Sequence, residues 1–309
     1  MNNNLYWNVY KSLERELLAL ADIIHIDDGQ LDVYSMKIAD LLIRTSVEIE
    51  SISKELYFRE GGTKPDDKDL YFDTDCLALL ESKWSLSKKV VMISSPIFYL
   101  KEDDNIYLTP LHKAHKRGAS SADWQKAYQA VKHNRAKSLK KGNLKHFIRS
   151  LGALYILNIY YNNRKFYLDK DANGISFDAN LGSSIFSIEI HPFCGLDIDG
   201  KYHKLEDYDK YTYIIKPTEE TKSVLVEMLN KVRLEIIKPA ATKTKDVITN
   251  DTSKILAMPK EELEVKIKET FSSAKKELYT QLSLEDRIKY IQSNNLIKYE
   301  LVLNNVSSI

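Results

Sequence analysis

Lys132-His133-Asn134-Arg135 sets an imidazole among permanent cations. An imidazole exchanges protons near neutral pH. A guanidinium holds two phosphate oxygens with its planar fork. Metal-free cleavage of RNA uses both properties: a base for the 2′-OH, an acid for the leaving oxygen, and cations for charge building on phosphorus. His133 and Arg135 are therefore the candidate catalytic residues, with Lys132 adding positive charge. The plainer alternative pairs Arg135 with Glu48 or Glu50 across a helical interface and leaves His133 packed or solvated.

Arg44, Glu48, Glu50 and Lys54 form a second constellation beside an apolar stripe. Burying a charge without a partner is costly, so these four are expected to line a polar cleft facing segment 132–135. Solvated i,i+4 pairs are the competing account. The third set is electrostatic. His112, Lys113, His115, Lys116 and Arg117 on a loop, with Lys137, Lys140, Lys141 and Lys145 near a turn, are expected to meet phosphate. Residues 111–149 hold eleven Lys/Arg and one acid, Asp123, in a chain of net charge +1. The positive charge is thus gathered in one stretch, and the rest of the chain is acidic. Trp124, Tyr128 and Phe147 interleave with it, either as stacking platforms for single-stranded RNA or as core.

Other chemistries find no support. Ten glycines in 309 residues are few, and no Gly-rich phosphate loop occurs. Cys76 and Cys194 are far apart and lack a CxxC partner, which disfavours structural zinc and a disulfide framework. His112 and His115 have no carboxylate or thiol beside them to complete a metal site, so neither metal nor cofactor is expected. Asp197-Ile-Asp199-Gly200 begins like a calcium loop but lacks the closing Glu, and reads as a hairpin turn. The N-terminus is unlike a signal peptide, and the apolar run Leu151–Tyr161 is too short to span a bilayer. A cytoplasmic protein without a membrane segment is expected.

The elements that must position these residues are mostly helical. Apolar spacing predicts a helix over 5–24 and a longer one over 34–58, N-capped by Ser35 and ended by Gly61-Gly62. Residues 63–73 read as a polar acidic loop, 75–88 as helix and 90–100 as an extended segment. A helix over 121–138 with Ser121 as N-cap, a turn at Gly142-Asn143 and a helix over 144–161 make a helical hairpin. Residues 164–178 read as two strands around Asn173-Gly174. Strands follow at 184–190 and 211–216, then a helix over 218–237. Residues 238–258 lack a period and read as a linker. A helix is expected over 259–282 and a short one over 283–293. The last stretch, LIKYELVL, fits strand and helix equally.

Two segments carry a resemblance: Glu14–Leu31 continuing into YSMKIADLLIRTSVEIESISKEL (34–56), and WQKAYQAVKHNRAKSLKKGNLKHFIRSLGALYIL (124–157). They resemble the two halves of HEPN-like helical domains of uncharacterised prokaryotic proteins. The resemblance implies a helical bundle with RNA-directed activity in toxin–antitoxin or phage-defence settings. Several such domains are metal-independent endoribonucleases acting as homodimers; others are inactive binding modules. The family's catalytic pattern is Arg followed four to six residues later by His. Here His133 precedes Arg135, and His146 follows Arg135 by eleven positions. The expected fold is mainly α, α+β overall. It comprises an HEPN-like bundle over 1–162, a small β-containing portion over 163–237, a linker over 238–258 and a helical appendage over 259–309. The expected function is RNA association, with RNA cleavage in view. The alternative is a non-catalytic interaction or sensor module for a protein partner, such as an antitoxin, or for nucleic acid.

Overall fold

The helical periodicities resolve into a bundle built around one helix. The computed structural model describes residues 5–66, 69–196, 201–250, 258–283 and 295–305. Its helices are α1 (Leu5–Ala21), α2 (Met36–Arg59), α3 (Ala78–Trp84), α4 (Asp123–His133), α5 (Leu144–Asn162), α6 (Glu219–Val232), α7 (Lys238–Asn250) and α8 (Lys260–Gln281). Two small sheets complete a mainly α, α+β fold. α5 is apolar on nearly every face, so it can only be an interior helix, and fourteen of its nineteen residues are buried. α1, α2 and α4 pack around it.

Local chemistry sets the ends of these helices. Ser35 caps α2 as expected, accepting from Ile38 N at 3.1 Å. Asn143 caps α5, accepting from His146 N at 3.1 Å. Arg59 closes the far end of α5 by donating to the carbonyls of Tyr160 and Tyr161, each at 2.7 Å. Carbonyls in a last helical turn lack partners within the helix and need such donors. The start of α4 differs from expectation. Its N-cap is Ala122, and Gln125 Oε1 reaches back to the Ala122 N–H at 3.0 Å. Ser121 instead donates its hydroxyl to Gly118 O at 2.8 Å. α4 also stops at His133, because Asn134 leaves the helical region and caps a separate short turn, Arg135–Ser138.

The strands are β1 (Val91–Ile93), β2 (Tyr107–Leu108), β3 (Phe166–Asp169), β4 (Phe186–Ile188), β5 (Ile190–His191), β6 (Tyr213–Pro217) and β7 (Tyr299–Leu303). One sheet runs β2-β1-β4, antiparallel throughout. It touches the bundle through Tyr155 and Phe186, whose ring centroids lie 5.7 Å apart. The other sheet runs β3-β7-β6-β5, antiparallel except for the parallel β5–β6 pair. Glu14 of α1 fixes the approach to β4, accepting from Ser183 Oγ at 2.6 Å and Ser184 N at 2.8 Å.

Four expectations are corrected. No hairpin forms at Asn173-Gly174: β3 pairs with β7, and the Asp171 carboxylate takes the Asn173 and Ser176 amides at 3.1 and 2.9 Å. Capture of backbone donors by a short acidic side chain competes with strand pairing. Residues 184–190 are not one strand, since β4 and β5 belong to different sheets. Residues 238–250, read as linker, are helix α7, continuous with α6 through a π-helical turn at Arg233–Ile237. Lys238 N–H bonds to Arg233 O five residues back, and Pro239 has no N–H to offer. The widened turn absorbs a proline that would break a regular helix. Finally, residues 259–309 are not helical throughout, because β7 sits inside the second sheet between β3 and β6. The expected helix over 283–293 falls almost wholly outside the described residues, as does the Asp197–Gly200 turn.

The open edge of the second sheet carries a closed polar cluster. His191 is fully buried. Leu205 N donates to its Nε2 at 3.1 Å. Nε2 is therefore the acceptor, Nδ1 carries the proton, and Nδ1 donates to Tyr202 Oη at 3.0 Å. Tyr202 in turn donates to Ile215 O at 2.8 Å. Burial pushes the His191 pKa below its ordinary value. Nearby, Lys89 is buried and donates to Asp209 O at 2.7 Å and Tyr211 O at 3.0 Å. Burial brings its ammonium pKa down to about 7.

Candidate nucleic-acid interface

α2 and α4 pack side by side, and their polar faces open onto a cleft of about 740 Å³. α2 contributes Glu50 and Lys54, one turn apart. α4 contributes Gln125, Lys126, Gln129, Lys132 and His133. The walls are completed by residues 70–73 and by the turn that starts at Arg117. Trp124, Tyr128 and Val131 occupy the opposite stripe of α4 and are buried. Helical spacing therefore divides α4 into an anchoring face and a cleft face.

Each cation of the cleft is steered by one neighbour. Lys132 Nζ donates to Tyr128 Oη at 3.1 Å and lies 5.2 Å from that ring's centroid. The hydrogen bond from its ammonium raises the Lys132 pKa, and the Glu50 charge adds to the effect. Lys54 reaches Asp66 Oδ1 at 2.7 Å, which raises its pKa. Lys126 pairs with Asp123 at 2.7 Å. The Arg117 guanidinium carbon lies over Tyr71, 3.8 Å from the ring centroid, and its Nε lies 3.9 Å from Asp73. A stacked guanidinium keeps its edge free for phosphate. Asp75 sets the Tyr71 wall by accepting from Tyr71 N at 2.9 Å, while Lys64 at 2.7 Å holds its carboxyl below the ordinary value.

The structure sorts the expected site residues. Glu50, Lys54, Arg117, Lys132 and His133 meet in the cleft, and His133 is exposed there. Arg44 and Glu48 do not line it. Residues two apart on a helix point about 200° from each other, so Glu48 cannot share a face with Glu50. Burial raises the Glu48 pKa, against the opposing charge of Arg44. Arg135 lies beyond the break at Asn134 and pairs with Asp40 at 2.8 Å, not with Glu48 or Glu50. His133 thus lines the cleft and Arg135 does not.

Lys137, Lys140 and Lys141 are exposed and Lys145 is half-buried, all beside the start of α2. His112, Lys113 and Lys116 are exposed on the turn before α4, and His115 is half-buried with its Nδ1 out of solvent. Trp124, Tyr128 and Phe147 are core residues, which leaves none of them as a stacking platform. Tyr71, Asp73, Gln125, Lys126 and Gln129 are among the lining residues that sequence reasoning missed. The Gln125, Gln129, Lys132 spacing was a visible polar stripe; the approach of residues 70–73 has no local signature. Among the described residues no helix is long and apolar enough to cross a membrane. Comparison with protein-family models, with curated proteins and with solved structures gives no match.

Proposed function

We propose that this protein is an RNA-associated, HEPN-like helical module whose α2–α4 cleft holds the backbone of single-stranded RNA. One observation carries the reading: Lys54, Arg117, Lys126 and Lys132 converge on one open cleft with Glu50 and Asp73, Lys54 and Lys126 each being paired with an aspartate outside the lining. A groove of cations beside an exposed aromatic wall suits a phosphate backbone. The sequence resemblance over 14–56 and 124–157 favours RNA as the polyanion and a prokaryotic defence or toxin setting. The test is fluorescence anisotropy with a labelled twelve-nucleotide oligouridylate. Binding should weaken with salt, and Lys132→Glu should raise Kd about tenfold, one such step being about 1.4 kcal/mol. An unchanged Kd in Lys132→Glu would sink the assignment.

A second reading rests on Glu50 and His133 lining the same cleft. In it, Glu50 takes the 2′-OH proton and the 2′ oxygen bonds to phosphorus. The bond from phosphorus to the 5′ oxygen breaks, and His133 as imidazolium protonates that oxygen. The products are a 2′,3′-cyclic phosphate and a free 5′-OH. Lys132 and Arg117 supply the cations, in place of Arg135. Incubation with RNA and EDTA tests it: cleavage should vanish in His133→Ala and Glu50→Gln and persist in Arg135→Ala. Equal cleavage by all variants, or none by wild type, removes this reading and leaves binding alone.

A further inference from the structure

The turn between α4 and α5 carries a second set of cations, Lys137, Lys140, Lys141 and Lys145, none of them ion-paired among the described residues. Two carboxylates at this turn have other partners. Asp40 is held by Arg135 at 2.8 Å, and Asp32 accepts from Asn143 Nδ2 at 3.1 Å. Asp32 keeps its charge, since an amide donor is neutral, but four lysines outnumber it and the local field is net positive.

An exposed tyrosine is tied to this turn through its backbone. Leu144 N donates to Val33 O at 3.0 Å and Lys145 N to Leu31 O at 2.8 Å, which zips residues 31–34 along 143–145. Tyr34 falls directly opposite Asn143 in an antiparallel bridge. Tyr34 is 52% exposed. Its side chain makes no hydrogen bond and no ring contact among the described residues. Met36, two residues on, is 51% exposed. A half-exposed ring on a segment held by its backbone, on the same turn as unpaired lysines, has the composition of a base-stacking platform.

The cleft leads to this platform. His133 lines the end of the cleft, Asn134 turns the chain, and the next eight residues bring it to Lys141 and Gly142. Gly142 packs on Ala39, so the turn is pressed onto the start of α2. The chain thus joins the cleft at His133 to Lys137, Lys140 and Lys141 and to the turn that Tyr34 bridges.

We infer that Tyr34, with Lys137, Lys140 and Lys141, forms a second subsite for single-stranded RNA, one base stacking on the tyrosine while the lysines hold flanking phosphates. This inference rests on the cleft as the primary RNA site. Its test compares labelled oligouridylates of four and twelve nucleotides. The short one fits the cleft, and the long one reaches both subsites. Tyr34→Ala should weaken binding of the twelve-nucleotide probe about tenfold, within the range of one base–aromatic stack, and leave the four-nucleotide probe unchanged. Tyr34→Phe should restore full affinity, because stacking needs the ring and not the hydroxyl. Lys140→Glu with Lys141→Glu should also weaken only the long probe. Circular dichroism and thermal melting confirm that each variant is folded.

The outcomes separate cleanly. If Lys132→Glu weakens both probes while Tyr34→Ala weakens neither, the cleft stands and the second subsite is overturned. Failure of both probes to bind wild type overturns both. Binding of poly-glutamate as tight as that of the long RNA, and equally insensitive to Tyr34→Ala, assigns the lysines to an acidic protein instead and also overturns the subsite.

Discussion

At the α2–α4 cleft, His133 stands exposed among cations whose outer faces meet solvent. At the β5–β6 edge, His191 is buried, with both ring nitrogens engaged by Tyr202 and Leu205. Both regions combine imidazole, tyrosine and lysine, so a residue count would rank them equally. Their partners distinguish them. Lys132 uses one neighbouring tyrosine hydroxyl, whereas Lys89 is enclosed and spends its ammonium on two backbone carbonyls. A polar group with every donor and acceptor satisfied inside the protein stabilises one conformation. A polar group with an open face can exchange its solvent for a ligand.

The largest expected effect lies at the closed region. His191→Ala deletes a fully buried ring, strands the Leu205 N–H and takes the donor from the Tyr202 oxygen, whose own proton stays on Ile215 O. Cavity and unmet hydrogen bonds together should lower the unfolding free energy by about 3–4 kcal/mol, measured by urea titration. RNA affinity of the folded protein should stay within twofold. A loss below about 1 kcal/mol would dissolve the contrast between the two regions.

Lys89 gives the next effect, and its sign is fixed. Its pKa is about 7 in the folded protein and near the ordinary 10.5 in the unfolded chain. Between those values the unfolded chain binds the extra proton, so stability rises with pH across that window. The slope is about 1.4 kcal/mol per pH unit while the difference is fully developed. Lys89→Met should be less stable at pH 9 and should lose this rise. Parallel curves for the two proteins between pH 7 and 9 would show that Lys89 is not held by burial.

The same contrast explains what could be read from the chain alone. The Ile38, Leu42, Ile49, Ile52, Leu56 stripe and the all-round apolar α5 announce themselves, because helix burial follows a short-range period. Lys132, His133, Glu50 and Lys54 were legible as cleft residues for that reason. Arg44 and Glu48 were misplaced by grouping neighbours in sequence without turning the helix. Arg135 was misplaced because Asn134, a side chain that competes for backbone donors, ends α4 five residues early. The entry of β7 between β3 and β6 was out of reach, since Tyr299–Leu303 pairs with strands more than eighty residues away. Tyr71 reached the cleft wall by tertiary packing for the same reason.

Salt dependence sharpens the comparison at lower energy. Each phosphate neutralised on a single strand contributes about 0.7 to the slope of log affinity against log salt. Replacing Lys54, Lys126 and Lys132 together by Gln should flatten the slope for the twelve-nucleotide probe by about 2. The closed region also has surface cations, Lys88, Lys204 and Lys210, around a hollow of about 730 Å³ shared with Asp207 and Asp209. Lys88 and Lys210 are paired with Asp209 and Glu189. Their triple Gln replacement should leave the slope unchanged; an equal change in both triple variants would make binding a matter of net charge and not of place.

The smallest expected effect concerns Arg135, and its direction carries the information. The Arg135–Asp40 pair is partly exposed on both sides, so Arg135→Ala should change stability by no more than about 0.5 kcal/mol. Its removal uncovers the Asp40 carboxylate beside the lysines at the end of α4. At physiological salt a charge is felt over roughly 8 Å, enough to oppose a phosphate at Lys137 but not one at Lys54. Affinity for the twelve-nucleotide probe should fall about twofold, and affinity for the four-nucleotide probe should hold. Asp40→Asn reverses the sign: it frees the guanidinium for phosphate and should raise long-probe affinity by a similar factor. If Arg135 belonged to the cleft chemistry, Arg135→Ala would weaken both probes, and Asp40→Asn would not distinguish them.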